Sequence, residues 1–165
     1  MKNNKIKNKP GFTLVEIITV LFIVSIGMVG VLSLIIQNIQ GHNLNKNSLA
    51  AYQLAQEGIE LIRKVRDTNW NNSVVYNTAL APGLYYMDYL DDTPNSLATD
   101  TQGDLYKSDT DFYAHASSAN LTSFRRIIEI VSTSTQAMTI HSRVSWIERG
   151  QSYSYNLEAT LYDWK

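Results

Sequence analysis

This chain of 165 residues has no cysteine, no large net charge and no recognisable catalytic motif. The lack of cysteine excludes disulfide scaffolds, thiolate zinc sites and cysteine nucleophiles. Fourteen basic residues face fifteen acidic ones, and the resulting charge of −1 argues against nucleic-acid binding by the chain as a whole. No G-x-S-x-G, H-E-x-x-H, P-loop or G-x-G-x-x-G pattern is present. We therefore predict no enzyme activity, no catalytic residue and no cofactor.

Aromatic residues, by contrast, are plentiful, and charge is unevenly distributed along the chain. Ten tyrosines, three tryptophans and four phenylalanines are enough to build a core, which argues against a disordered protein. Residues 1–9 contain four lysines and no acid, whereas the remainder holds ten basic and fifteen acidic residues. The N-terminus is therefore chemically distinct from a polar, globular remainder.

Residues 12–36 form an apolar run of 25 residues with Glu16 as its one charge. As a helix rising about 1.5 Å per residue, the run spans roughly 37 Å, which is enough to cross a bilayer core of about 30 Å. It is too long for the apolar region of a cleaved signal peptide, and residues 37–40 offer no A-x-A site. The preceding lysines favour a cytoplasmic N-terminus. We predict a single-pass protein of the cytoplasmic membrane with its head outside the cytoplasm.

Glu16 is the anomaly within this run, because an unpaired carboxylate there costs on the order of 3 kcal/mol. Its side chain could reach the lipid headgroups near the helix end, or it could meet a cation. No lysine or arginine follows before Lys46. If the leader were removed after Gly11, the new amino group of Phe12 would supply that cation, in this chain or in a neighbouring one.

The string KPGFTLVE at residues 9–16 follows a basic leader and opens the long apolar helix. This combination resembles the N-terminal signal of type IV pilins and pseudopilins. The resemblance implies that prepilin peptidase requires Gly11 and cleaves after it, and that Phe12 becomes the N-methylated first residue. It further implies that the Glu16 carboxylate neutralises a neighbouring subunit's N-terminus during assembly.

The same resemblance implies a set of partners. These are the prepilin peptidase and methyltransferase, membrane lipid before assembly, other pilin subunits through helix–helix contact, and a pilus assembly platform. The assembled product would be a surface or periplasmic filament.

Departures from the pattern of major pilins point to a minor subunit. Ser33 stands near the place where major pilins commonly have a proline, and residues 25–30 (SIGMVG) resemble minor pilins and minor pseudopilins. Gly27 and Gly30 fit either the glycine content usual in membrane helices or close helix packing. The resemblance implies a minor type IV pilin-like subunit. A pseudopilin of a type II secretion system and a tip pilin that binds DNA or a surface ligand are the alternatives.

We predict an α+β fold in which a long N-terminal helix packs against a small antiparallel β-sheet. The leader would cover residues 1–11, the helix residues 12–67 with its membrane-spanning part at 12–36, and the head residues 68–165. Apolar residues with helical spacing predict the stripe that faces the sheet: Ala51, Leu54, Ala55, Gly58, Leu61, Ile62 and Val65. Charged residues between them predict a solvated face, with Glu60 and Lys64 as an ion pair: Glu57, Glu60, Arg63, Lys64 and Arg66.

Strands are predicted near residues 84–90, 124–131, 137–148 and 151–162. The last two alternate apolar and polar residues, as expected of half-buried strands. A two-residue turn at 149–150 makes their apolar faces coincide. The register this predicts pairs Met138 with Leu161, Ile140 with Ala159, Val144 with Tyr155, and Trp146 with Tyr153.

Two ligand hypotheses remain for the head. The first is a calcium site in an acidic region, although the spacing fits no EF-hand loop and polar surface loops are usually just solvated, so we assign no metal site. The second is DNA binding by arginines, which the acidic balance of the head opposes. The aspartates are Asp88, Asp91, Asp92, Asp100, Asp104, Asp109 and Asp111, and the arginines are Arg125, Arg126, Arg143 and Arg149.

Overall fold

The fold comes from a computed structural model that describes residues 11–108, 112–115 and 120–163. Contacts divide the chain into two compact units, one up to Asn43 and one from Leu44 onwards. Helix α1, Leu14–Asn71, begins in the first unit and ends in the second, which also holds the β-strands. Residues 1–10 of the predicted leader lie outside the described residues.

The second unit contains one antiparallel sheet, so the predicted α+β class is confirmed. Its strands are β1 Gly83–Tyr86, β2 Asn95–Ser96, β3 Asp104–Lys107, β4 Tyr113–Ala114, β5 Asn120–Thr133, β6 Ala137–Glu148 and β7 Gln151–Tyr162. The central strand β5 pairs with β6 along one side, and with β3 and β1 along the other. Strand β7 pairs with β6, β2 with β1, and β4 with β3. A short 3-10 helix at Asp100–Gly103 precedes β3.

The β6–β7 hairpin has the register that the alternation predicts, from Met138 opposite Leu161 to Trp146 opposite Tyr153. Its turn residues Arg149 and Gly150 have φ angles of 52° and 77°. Positive φ at both central positions is the requirement of a type I′ turn, whose twist matches that of the flanking strands.

Strand β1 is shorter than the predicted 84–90 segment and ends at Tyr86. Beyond it, side-chain carboxylates take over the backbone donors that a strand would use. The backbone N–H of Leu90 donates to Asp88 Oδ1, and that of Asp88 donates to Asp91 Oδ2, both at 2.9 Å. Aspartates favour turns because their side chains bond to nearby backbone in this way.

The predicted apolar stripe of α1 is buried against the inner face of the sheet along its whole length. Near one end of the strands, Ala51, Leu54 and Ala55 share a cluster with Phe124 and Trp146. Toward the other end of the strands, a second apolar cluster joins the last two turns of the stripe to the middle strands: Ile59, Ile62, Val65, Ile128, Ile130, Met138 and Ile140. This part of α1 therefore runs along the strands rather than across them.

Gly58 marks the closest approach of α1 to the sheet. A Cβ atom built there would lie 2.3 Å from Ser142 Oγ and 3.3 Å from Arg126 Cδ. We expect Gly58→Ala to lower the free energy of unfolding by about 1–3 kcal/mol, because overpacking shifts the neighbouring side chains. Chemical unfolding of the full chain in detergent, followed by tryptophan fluorescence, measures this.

Gly41→Ala is the matched control for that substitution. Gly41 is also helical, but nothing lies within 4 Å of an added Cβ, so alanine there should leave stability unchanged or raise it. Equal effects of the two substitutions would contradict the close approach at Gly58.

Candidate functional site

Helix α1 starts two residues after Phe12 because Thr13 caps it. The Thr13 hydroxyl accepts a hydrogen bond from the backbone N–H of Glu16 at 3.3 Å, and the Thr13 carbonyl accepts one from Ile17 at 3.2 Å. This is the cap position that threonine favours, with an acid three residues later. Gly11 and Phe12 precede the helix and are exposed, so the Gly11–Phe12 peptide bond is accessible.

Hydroxyl side chains in the apolar run are satisfied within the helix. Ser25 and Ser33 donate to the carbonyls of Leu21 and Val29 at 2.7 and 3.0 Å, and Thr19 donates to Val15. Such bonds to the preceding turn remove the cost of placing a hydroxyl in lipid or in a protein core.

Glu16 differs from these residues, because its carboxylate has no hydrogen-bond or ion-pair partner among the residues that the structure describes. Phe12 lies beside it, and the two line one open concavity with Ile17, Val20 and Leu21. The first turn of α1 carries a partial positive charge that favours an acid there. A partial charge does not replace a full countercharge, and none lies beside the Glu16 carboxylate within the described residues.

Every residue from Gly11 to Asn43 is exposed. The large apolar side chains between Phe12 and Ile39 are each 49–81% exposed, and the most apolar window of α1 has a mean hydropathy of 2.7. A bare helix of this kind is unstable in water because its apolar surface is uncovered. Lipid or the helices of other subunits must therefore cover it.

Comparison with known proteins bears on this same segment. Residues 6–32 match the family model described as the prokaryotic N-terminal methylation motif. The chain carries the N-terminal signal of the type IV pilin and pseudopilin family. The resemblance stated from residues 9–16 is therefore confirmed, and this family consists of structural subunits rather than enzymes. No curated protein and no solved structure matches the chain.

In the head of this pilin-like chain, Arg126 is a buried structural residue, which corrects its predicted place in a DNA-binding surface. Its side chain is fully buried on the inner face of β5, where it pairs with Glu57 Oε2 at 3.0 Å. It also donates to the carbonyls of Leu54 at 3.2 Å and Met87 at 2.7 Å. Burial lowers the pKa of Arg126, and the Glu57 carboxylate opposes that shift.

The remaining arginines of the hypothesis are also placed apart from one another. Arg125 pairs with Asp104 at 2.7 Å, and Arg143 lies 3.8 Å from Glu129 on the outer face of the sheet. Arg149 is in the exposed hairpin turn. The four arginines therefore do not form one basic surface.

The charged face predicted for α1 is solvated only in part. Arg66 is buried, with its guanidinium 4.4 Å from the centre of the Trp70 ring, because its long apolar stem covers the core. Glu60 pairs with Arg63 at 2.6 Å, so the predicted pair with Lys64 is wrong. Lys64 lies 3.9 Å from Asp92 instead.

Aspartates of the acidic region that the structure describes stabilise the loops around them through hydrogen bonds to the backbone. Asp88 is buried and accepts hydrogen bonds from the backbone N–H groups of Leu90 and His115. Within the described residues, no three histidine or acidic side chains are grouped as a metal site. Two of the aspartates considered for calcium, Asp109 and Asp111, lie outside those residues.

His115, which the sequence left without a role, provides a pH-dependent contribution to stability. Burial lowers the pKa of His115, and Arg126 acts in the same direction, whereas the Asp104 carbonyl and the carboxylates of Asp88 and Asp91 oppose the shift. The unfolded chain then binds more protons below a pH of about 6.5. Stability should therefore fall as pH decreases from about 7 to 5, by at most about 1.4 kcal/mol per pH unit from this group.

The measurement is the free energy of unfolding of the full chain as a function of pH. His115→Gln should reduce the slope below neutral pH, whereas His42→Gln, at an exposed position of α1, should leave the slope as it is. Parallel profiles for the wild type and His115→Gln would rule out this contribution.

Proposed function

We propose that this chain is a minor subunit of a type IV pilus-like filament. It is inserted with its lysine-rich end in the cytoplasm and cleaved after Gly11, and the new N-terminus at Phe12 is methylated. The apolar part of α1 then moves from lipid into the filament core. The observation that carries this proposal is the unpartnered carboxylate of Glu16 beside Phe12, within an exposed apolar helix that follows a prepilin signal.

The chemistry of assembly follows from where charge lies before and after cleavage. In lipid, the Glu16 carboxylate lacks a full countercharge, which costs on the order of 3 kcal/mol. Cleavage creates an amino group on Phe12, and methylation leaves that amine protonatable. Pairing of Glu16 with the N-terminus of a neighbouring subunit offsets the cost, because two opposite charges attract strongly in an apolar medium. The pair also sets the register between neighbouring helices.

The structural role of the head is to present a rigid, soluble domain on this helix. Two of its buried polar residues, Arg126 and Asp88, are occupied by helix–sheet and loop contacts. Burial of Arg126 removes one of the four arginines considered for DNA binding by a tip pilin. The partners of this function are prepilin peptidase and its methyltransferase, membrane lipid, other pilin subunits and an assembly platform.

Fractionation of the native cells tests this proposal. Filaments sheared from the surface should contain the chain in a small amount relative to the major subunit, and loss of prepilin peptidase should confine it to the membrane. Recovery only in a periplasmic secretion filament would assign it to the pseudopilins. Recovery only in the membrane, with the peptidase present, would contradict assembly.

A further inference from the structure

The outer edge of the sheet at β7 is long and open. Strand β7 covers twelve residues, Gln151–Tyr162, and pairs only with β6 within the described part of the chain. The other two edges are β2 and β4, which have two residues each. An open edge displays unpaired backbone donors and acceptors to solvent, and natural proteins usually shorten, bend or charge such edges.

The hairpin turn determines which peptide groups face that edge. A two-residue turn closes on a hydrogen-bonded pair, here Glu148 and Gln151, so the odd-numbered residues of β7 bond to β6. Just beyond the strand, the N–H of Asp163, which is also odd-numbered, donates a hydrogen bond to the Gln136 carbonyl and so follows the same pattern. The even-numbered residues direct both backbone groups outward, and all of them are exposed: Ser152, Ser154, Asn156, Glu158, Thr160 and Tyr162.

None of the usual protective devices is present on β7. The strand has no proline, lysine or arginine, and its pairing with β6 runs without a bulge from one end to the other. Its one charged residue is Glu158. The edge therefore keeps every outward N–H donor in a regular array, as strand addition requires.

We infer that the β7 edge binds an extended strand of a second protein, which adds to the sheet as an eighth strand. Side chains of the added strand that lie opposite Tyr153, Tyr155 and Leu157 should be apolar or aromatic. They would extend the inner face, where Tyr155 contacts the Tyr52 ring with 5.6 Å between centroids. Side chains on the outer face should be polar, and the residue opposite Glu158 should be basic or uncharged.

A second copy of this chain does not fit as the occupant when its own β7 pairs antiparallel with this edge. Antiparallel pairing of two β7 strands has its two-fold axis perpendicular to the sheet, which reverses every direction that lies along the sheet. Because α1 runs along the strands, the two chains would enter the paired heads at opposite ends, near their Leu44 residues. Subunits of one membrane or one filament all point the same way, so this argument rests on the proposed function. The two-residue edges of another copy are too short to pair with β7.

Photocrosslinking in the native cells tests the inference with the full chain. A benzoylphenylalanine side chain at Glu158 is the probe, and the same side chain at Arg143, on the outer face of β6, is the control position. We expect an adduct with a different protein from position 158 and none from position 143. No adduct from position 158, or an adduct with a second copy of the chain, would overturn the inference.

A pair of substitutions tests whether backbone hydrogen bonds bind the partner strand. Ser154→Pro removes one outward N–H and spares the bonds to β6, whereas Ser154→Ala keeps the N–H. The yield of the adduct should fall about fivefold or more for Ser154→Pro, which corresponds to one lost hydrogen bond, and remain unchanged for Ser154→Ala. Equal yields from the two variants would contradict backbone pairing.

Amide hydrogen exchange provides a readout without substitutions. In the purified chain, the amides of Ser154 and Asn156 should exchange quickly and those of Tyr153 and Tyr155 slowly. In the native assembly all four amides should exchange slowly, and an unchanged alternation would refute strand addition.

Filament incorporation without a crosslinked adduct would reject this inference alone. An adduct from a chain that stays in the membrane would reject the proposed function alone.

Discussion

Replacing Glu16 with alanine should reduce incorporation into filaments tenfold or more, while membrane insertion and cleavage after Gly11 continue. Two effects act in the same direction. The substitution removes the attraction to a neighbouring Phe12 amine, and it also removes the cost that Glu16 imposes on the lipid-embedded subunit. A loss of about 1.4 kcal/mol in assembly free energy is already a factor of ten. Immunoblots of sheared and membrane fractions measure the effect.

Two further variants separate the charge of Glu16 from its shape. Glu16→Gln keeps the shape and removes the charge, so it should fail as Glu16→Ala does. Thr19→Val is the control, because the Thr19 hydroxyl bonds only to the carbonyl of Val15 in its own helix. Normal incorporation of both Glu16 variants would show that this carboxylate does not set the register.

Glu57→Gln should cause a large loss of stability in the head, about 3 kcal/mol. Arg126 is fully buried, and Glu57 is its carboxylate partner at 3.0 Å. Removing one member of a buried ion pair leaves an uncompensated charge in the core, which costs about 3–5 kcal/mol. We expect the lower end of that range because the Glu57 side chain is 35% exposed and water can approach the pair. Unfolding of the full chain in detergent measures the loss.

Glu60→Gln is the matched control, with the same chemical change three residues further along α1. Glu60 pairs with Arg63 at the surface, and both side chains are well exposed, at 60% and 41%. Exposed pairs contribute about 0–1 kcal/mol. Losses of equal size at the two positions would contradict the assignment of a stabilising, buried ion pair to Glu57 and Arg126.

Features that depend on the periodicity of apolar residues could be predicted from the sequence. The apolar stripe from Ala51 to Val65 and the register of the hairpin both follow from repeats of apolar side chains. The N-terminal signal could also be predicted, because its residues are contiguous and need no tertiary contact. The cap formed by Thr13 and Glu16 was missed, although the T-x-x-E spacing at the start of the apolar run is its usual sign.

For Arg126, the alternation of residues in a strand and the chemistry of its side chain predict opposite positions. It lies between Phe124 and Ile128 in a strand, so alternation alone puts it on the inner face. Its charge nevertheless favours a surface position, because arginine is rarely buried without a partner. That partner, Glu57, comes from a helix far away in the chain, and no local pattern connects the two. The short strands β2, β3 and β4 were not predicted for a similar reason, since their pairing depends on contacts with other segments of the chain.

The central claim is that this chain is a processed subunit of a filament, and the mass of its mature N-terminus tests it most directly. Intact mass and N-terminal fragment spectra should be taken of the protein from native membranes and from sheared filaments. The account predicts a chain in the sheared fraction that begins at Phe12 and carries a methyl group on its amine. A chain that keeps the residues before Phe12 and occurs only in the membrane would contradict it.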